Sequence, residues 1–300
     1  MVHAVETFAI AESHGPSQAA ILRRRIFGHY GLLFGLGVLG VMVVIAIFAP
    51  LLFDLDPYTQ DLVARMKPPF WMAGNDPNHI LGTDHLGRDY LARLIYGARI
   101  SLAIGTVAAV ISGLIGTTMG VAAGYFGGRT DTVVSFLVTT RLSLPVVMVA
   151  LAVVAVLGGS LQVVVLVLGL LLWDRFAVVM RSATMQVRGR EYITAARAIG
   201  CSVPRILWGE VLPNVLSGLV VIASYEMAQA ILLEAALSFL GLGVQPPLPS
   251  WGLMVSEAKE FMLFEPWMIM LPGAAICLLV LAINLLGDGI RDATAPEGRS

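Results

Sequence analysis

The sequence predicts an all-α membrane protein with six transmembrane helices and both chain ends on the cytoplasmic side. Three observations carry this. The 300 residues are 57% hydrophobic and 13% charged, with a mean hydropathy of +0.83, where a soluble domain carries about 25% charged residues. Apolar runs of about 20 residues, the length that crosses a bilayer, occur repeatedly and are continuous. Strands of a membrane barrel would alternate apolar and polar instead. Finally, arginine and lysine fall unevenly between the connecting segments.

The first run is Gly31–Phe53, preceded by Arg23, Arg24 and Arg25. It is too long for a signal-peptide core, has an acidic leader (Glu6, Glu12) and shows no small-residue cleavage site, so it reads as an uncleaved anchor. The second span is expected at Leu102–Ala123. The third covers Val133–Leu157 and should kink where Arg141 and Pro145 interrupt it. The fourth runs from Leu161 to Met180, the fifth from Val215 to Leu240 and the sixth from Met268 to Leu286.

Placing the amino end inside puts eleven basic residues on inner segments: Arg23 to Arg25, Arg129, Arg181, Arg188, Arg190, Arg197, Arg205, Arg291 and Arg299. Six fall outside: Arg65, Lys67, Arg88, Arg93, Arg99 and Lys259. This is the positive-inside bias, and long outer loops report it weakly. The net charge of −1 implies no nucleic-acid partner. Cys201 and Cys277 read as free thiols.

In the first outer loop, Asp89 to Ser101 has helical periodicity through Leu91, Leu94, Ile95 and Ala98, with Asp84, Gly82 and Gly87 supplying turns before it. The helix either lies on the outer surface or feeds the second span. Asp76, His79, Asp84 and His85 lack the spacing that puts two ligands on one helix face, so no metal site is expected. In the loop after the fifth span, Gly241 and Gly243 end the helix and Pro246, Pro247 and Pro249 prevent another. Trp251 and Trp267 read as membrane-interface anchors. That loop is either an outer gate or docking face, or a rigid connector.

The inner segment EYITAARAIGCSVPRILWGEVLPN, residues 191–214, is charged and glycine-broken between two apolar spans. As a helix from Glu191 to Ile199 it places Tyr192, Ala195, Ala196 and Ile199 on one narrow face, with Glu191, Thr194 and Arg197 elsewhere. Gly200 can end it in a left-handed conformation. A second helix, Val203 to Leu212, should follow and stop before Pro213. From pattern alone such a hairpin can rest on lipid, pack on its own spans or enter a groove on a soluble partner.

This segment resembles the EAA loop of permease subunits of bacterial ABC importers: Ala195-Ala196, then Gly200, then Leu212-Pro213 hold that spacing, with Thr194 where the motif has Glu. LGTDHLGRD with YGARISL, and EAALSFLGLGVQPPLPSWG, resemble signatures of the peptide/nickel branch, in its second permease (DppC/OppC-like). The likeness covers about residues 20 to 292.

It implies a type I ABC importer permease fold in the bacterial inner membrane. The division would be a cytoplasmic leader (1–29), a first helix with a long periplasmic loop (30–99), a five-helix core (100–290) holding the EAA loop at 181–213, and a cytoplasmic tail (291–300). It also implies a second permease (DppB/OppB-like), two ATP-binding subunits carrying ATP and Mg, and a periplasmic substrate-binding protein. Di- or oligopeptides are the implied substrates, with nickel chelates, opines and oligosaccharides as alternatives within the branch. Each permease's EAA helix enters a cleft on one ATPase, so Glu191, Tyr192, Thr194, Ala195, Ala196, Arg197, Gly200, Leu212 and Pro213 form the expected coupling loop.

The chain has no GxxxxGK[ST] loop and no clustered nucleophile and base, so it is read as non-catalytic, with no cofactor of its own. No inverted repeat points to a stand-alone secondary transporter. Four polar residues inside spans are candidates for path-lining or interhelical roles: Arg141, Glu226, Glu234 and Asn284.

Overall fold

A computed structural model describes residues 27–52 and 56–294. The leader arginines and Arg299 lie outside the described residues, as does Phe53. All regular structure described is helical apart from one isolated β-bridge, Thr83 with Asp89. Helix α1 is Tyr30–Leu52, α2 Tyr90–Phe126, α3 Gly128–Leu142, α4 Val146–Leu157, α5 Leu161–Leu171 and α6 Trp173–Arg188. Then come α7 Glu191–Ala198, α8 Val203–Ile206, α9 Leu212–Phe239, α10 Trp251–Ala258 and α11 Trp267–Thr294.

Five helical stretches are long and apolar enough to cross a bilayer, and the bent pair α3–α4 makes a sixth. The expected kink is larger than a kink: α3 and α4 meet at 81° across Ser143–Pro145. Pro145 cannot continue α3, because its ring excludes the helical backbone before it. The periodic segment before span two does feed it, giving one helix of 37 residues. Its N-cap is Asp89, whose Oδ1 accepts the Ala92 N–H at 2.7 Å.

The most extensive helix packing is α2 on α6. Gly116, Gly120 and Gly124 recur at a spacing of four along α2 and lie on the α6 backbone. A Cβ at Gly120 would stand 2.5 Å from the Ala177 carbonyl oxygen. Small residues at this spacing let two membrane helices touch where no hydrophobic effect drives them together.

The described ends lie on one side of the membrane. His29 Nε2 sits 3.1 Å from Asp292 Oδ2, joining the start of α1 to the end of α11. The start of α9 lies on that side too, since Ser217 and Gly218 share a cavity with Asp288 and Arg291. Segment α7–α8, which leads into α9, is therefore on the same side. The opposite end holds Tyr90, Trp251, Met254, Trp267 and Met268, packed as one buried cluster.

The two tryptophans are thus core residues rather than interface anchors. Trp251 donates its Nε1–H to the Leu94 carbonyl at 2.8 Å, and Trp267 donates to Glu265 at 2.7 Å while meeting the Tyr90 ring edge-on. The short helix α10 satisfies Trp251 by seating it against Gly97 of α2.

Candidate functional site

The inner segment folds as a helix, a turn and a helix, with one anchor. Ile193 is fully buried against Tyr125 at the end of α2, Met180 on α6, and Ile206, Val211 and Val215. Arg197 lies over the Tyr125 ring at 4.9 Å, a second tie to α2. Gly200 ends α7 at φ +81°. Its N–H bonds to the Arg197 carbonyl at 3.0 Å and the Cys201 N–H to the Ala196 carbonyl at 3.0 Å. This is the Schellman pattern, which an L side chain at Gly200 would strain.

The expected face is not the one that packs on the spans. Of its four residues, Ala196 is half-buried, while Tyr192 (42% exposed), Ala195 and Ile199 (81%) face outward. Glu191, Thr194 and Arg197 are exposed as well. Ile193, left out of the expected face, is the contact to the spans. Trp208 adds a further large apolar side chain to the outer surface at 72% exposure.

The expected stop at Leu212-Pro213 does not occur. The helix runs from Val203 to Phe239 as one 37-residue stretch through Pro213. A π turn at Leu207–Val211 accommodates the proline: the Leu212 N–H bonds five residues back to the Leu207 carbonyl. Widening the helix there relieves the clash that a proline ring makes with the preceding turn. Asn214 Nδ2 donates to the Glu210 carbonyl at 2.6 Å. The second piece is rigidly continuous with the fifth span.

Three of the four intramembrane candidates have defined partners. Arg141 donates Nε and Nη2 to the Leu171 carbonyl at 2.9 and 2.5 Å and Nη1 to Leu144 at 3.3 Å. It thereby satisfies carbonyls freed at the α3–α4 and α5–α6 breaks. Glu234 accepts from Ser238 at 2.7 Å and Ser250 at 3.0 Å, and Ser250 in turn caps α10 by accepting the Leu253 N–H at 3.0 Å. It ties the fifth span to the following loop. Glu226 is 1% exposed, with Arg175 Nε 3.7 Å from Oε1. Asn284 lines a cavity between α6, α9 and α11.

Two ion-pair sites were missed by sequence reasoning. Arg181 grips Asp131 through both oxygens, Nη2 to Oδ2 at 2.7 Å, fastening α6 to α3. On the opposite end Asp84, Arg88, Arg93 and Glu257 form a buried network: Arg88 to Asp84 at 2.6 Å, Arg93 to Asp84 at 2.6 Å and Arg93 to Glu257 at 2.6 Å. Burial pushes the Asp84 carboxyl up, but Arg93 and Arg88, with backbone N–H donors, hold it below its ordinary value. Asp84, His85 and Glu257 are close enough to share a metal. The two arginines already neutralise both carboxylates, so the cluster fits a structural lock and not a cation site. Arg88 and Arg93 are both committed to this lock.

This arrangement defines a multi-span membrane subunit that presents a braced surface helix at one end. Residues 116–299 match the family described as binding-protein-dependent transport system inner membrane component, and residues 17–69 match the N-terminal TM domain of oligopeptide transport permease C. The chain belongs to the first family and is a permease subunit of an ABC importer in the inner membrane.

Among curated relatives, the dipeptide transport system permease protein DppC of Haemophilus influenzae is 38% identical over 89% of this chain and 90% of its own. The di/tripeptide permease DppC of Pseudomonas aeruginosa is 42% identical over 89% and 88%. DppC of Escherichia coli is 41% identical over 90% and 92%. Among solved structures, an inward-facing MetNI methionine ABC transporter superposes at a TM-score of 0.58 with 20% identity, covering 68% of this chain and 98% of that one. That likeness carries the fold.

Proposed function

We propose that this subunit forms half of a translocation path for di- or oligopeptides and that α7 couples it to an ATPase. The observation that carries this is the division of labour within α7: Ile193 clamps the helix to the spans, while Tyr192, Ala195 and Ile199 stay open. An exposed apolar face on a helix with a rigid mount suits insertion into a partner groove. Because α8 is continuous with α9, a push on α7 is carried into the fifth span as a rigid-body movement. Basic residues Arg129, Arg188, Arg190, Arg197 and Arg205 flank this end, so we assign it to the cytoplasm, with both chain ends.

In this reading a second permease completes the path, a periplasmic binding protein delivers substrate, and two ATP-binding subunits hold ATP and Mg beneath. The chain itself does no chemistry. The peptide relatives favour peptide cargo over nickel chelates, opines or oligosaccharides. Reconstitution tests it: the chain purified with its partner permease and ATPases should import a dipeptide into proteoliposomes only with ATP and binding protein. Uptake by this chain alone, without ATP, would refute it.

A further inference from the structure

A cavity of about 620 Å³ opens between α6, α9 and α11. Five polar side chains, Ser217, Ser224, Tyr225, Asn284 and Asp288, stand in its wall, which is otherwise largely apolar. It runs from the α7 end of the bundle, at Ser217 and Asp288, to Tyr225, halfway along α9. The Tyr225 ring there meets the Arg175 guanidinium at 4.9 Å.

Arg175 stands at mid-depth. In the 28-residue span Leu161–Arg188 it is fourteen residues from the first and thirteen from the last. Its side chain is 47% exposed. A half-exposed cation at that depth is not stable against hydrocarbon, and it is too far from either end to reach the headgroups. Its nearest acidic partner among the described residues is held loosely, with Asp174 further off: Glu226 Oε1 is 3.7 Å away, beyond hydrogen-bond reach, and has no hydrogen-bond donor there although the residue is fully buried. A guanidinium has a second fork edge that a planar carboxylate fits.

We propose that this cleft is the chain's share of an aqueous path and that Arg175, at its mid-membrane end, binds a carboxylate of the passing substrate. Glu226 and Tyr225 hold the guanidinium in place, and Glu226 retakes it when the carboxylate leaves. The identity of the cargo as a peptide rests on the function proposed above; the aqueous exposure of Arg175 does not.

The test uses the assembled transporter with Cys201 and Cys277 replaced by alanine. Arg175→Cys and Tyr225→Cys, made separately in case the first does not assemble, are treated with a membrane-impermeant cationic methanethiosulfonate. Both should react. Failure of both to react would place this face against lipid or the second permease and overturn the proposal. In parallel, Arg175→Gln should raise the dipeptide concentration for half-maximal uptake roughly ten- to a hundredfold, the worth of a charge-assisted hydrogen bond. Arg175→Lys, which keeps the charge but loses the fork, should recover only part of it. An unchanged half-saturation in Arg175→Gln, or equal loss in both variants, would overturn carboxylate binding. If the unsubstituted transporter carries no dipeptide, the peptide reading fails, while the thiol reactions still decide whether the cleft is aqueous.

Discussion

The Arg93 guanidinium lies 2.6 Å from the Glu257 carboxylate, joining the start of α2 to the end of α10 across 164 residues of sequence. The same nitrogen is 2.6 Å from Asp84, so one cation holds two carboxylates, one from the loop before α2 and one from α10. Removing it leaves Asp84 buried beside a single remaining arginine. Arg93→Met is expected to cost about 3–5 kcal/mol, the penalty for an uncompensated buried charge. Thermal unfolding in detergent measures this.

The same network sets an acid limit. The Asp84 carboxyl is held below its ordinary 3.8, so its contribution is fully present above that pH and is lost as pH falls through the lower folded value. The melting temperature should therefore owe nothing to Asp84 titration between about pH 5 and 8 and should fall below about pH 4. Asp84→Asn should melt earlier at neutral pH and show a shallower acid limb in a pH series of unfolding curves.

Gly120 tests the close α2–α6 contact. Gly120→Val places carbon atoms against the Ala177 carbonyl, where the gap for a Cβ is 2.5 Å. Overpacking of this kind costs about 1–3 kcal/mol or more. The equivalent change at Gly37, where a Cβ meets nothing within 4 Å, should be nearly neutral in the same unfolding measurement.

Ile193 and Ala195 separate mounting from docking. Ile193→Ala removes a fully buried side chain and should destabilise the loop by about 2–5 kcal/mol. Faster limited proteolysis between Arg188 and Arg205 would report it. Ala195→Arg, on the exposed side, should leave stability within about 0.5 kcal/mol.

The spans were legible because crossing a bilayer demands only length and apolarity, which are local properties of the chain. Gly200 was legible for the same reason, since a helix stop is written within a few residues. What escaped is what distance in sequence hides. Nothing local pairs Arg181 with Asp131, fifty residues away, or seats Trp251 against Gly97. The face of α7 was misjudged because periodicity groups residues without saying which group meets the bundle. Ile193 wins by fitting between Tyr125 and Met180, while the Tyr192 side stays open. The proline at 213 signals a helix start in water-soluble patterns, yet here a π turn carries the helix through it. The Gly116–Gly120–Gly124 spacing did hold a readable signal for helix contact.

Whether α7 is the joint to the ATPase is decided most directly by uptake per ATP hydrolysed in proteoliposomes carrying the Ala195→Arg subunit with its partners. A bulky charge on the open face should abolish coupling: dipeptide uptake falls at least tenfold, the effect of losing about 1.4 kcal/mol or more of docking energy, while the purified subunit melts as before. Wild-type uptake per ATP in that variant would contradict docking through this face.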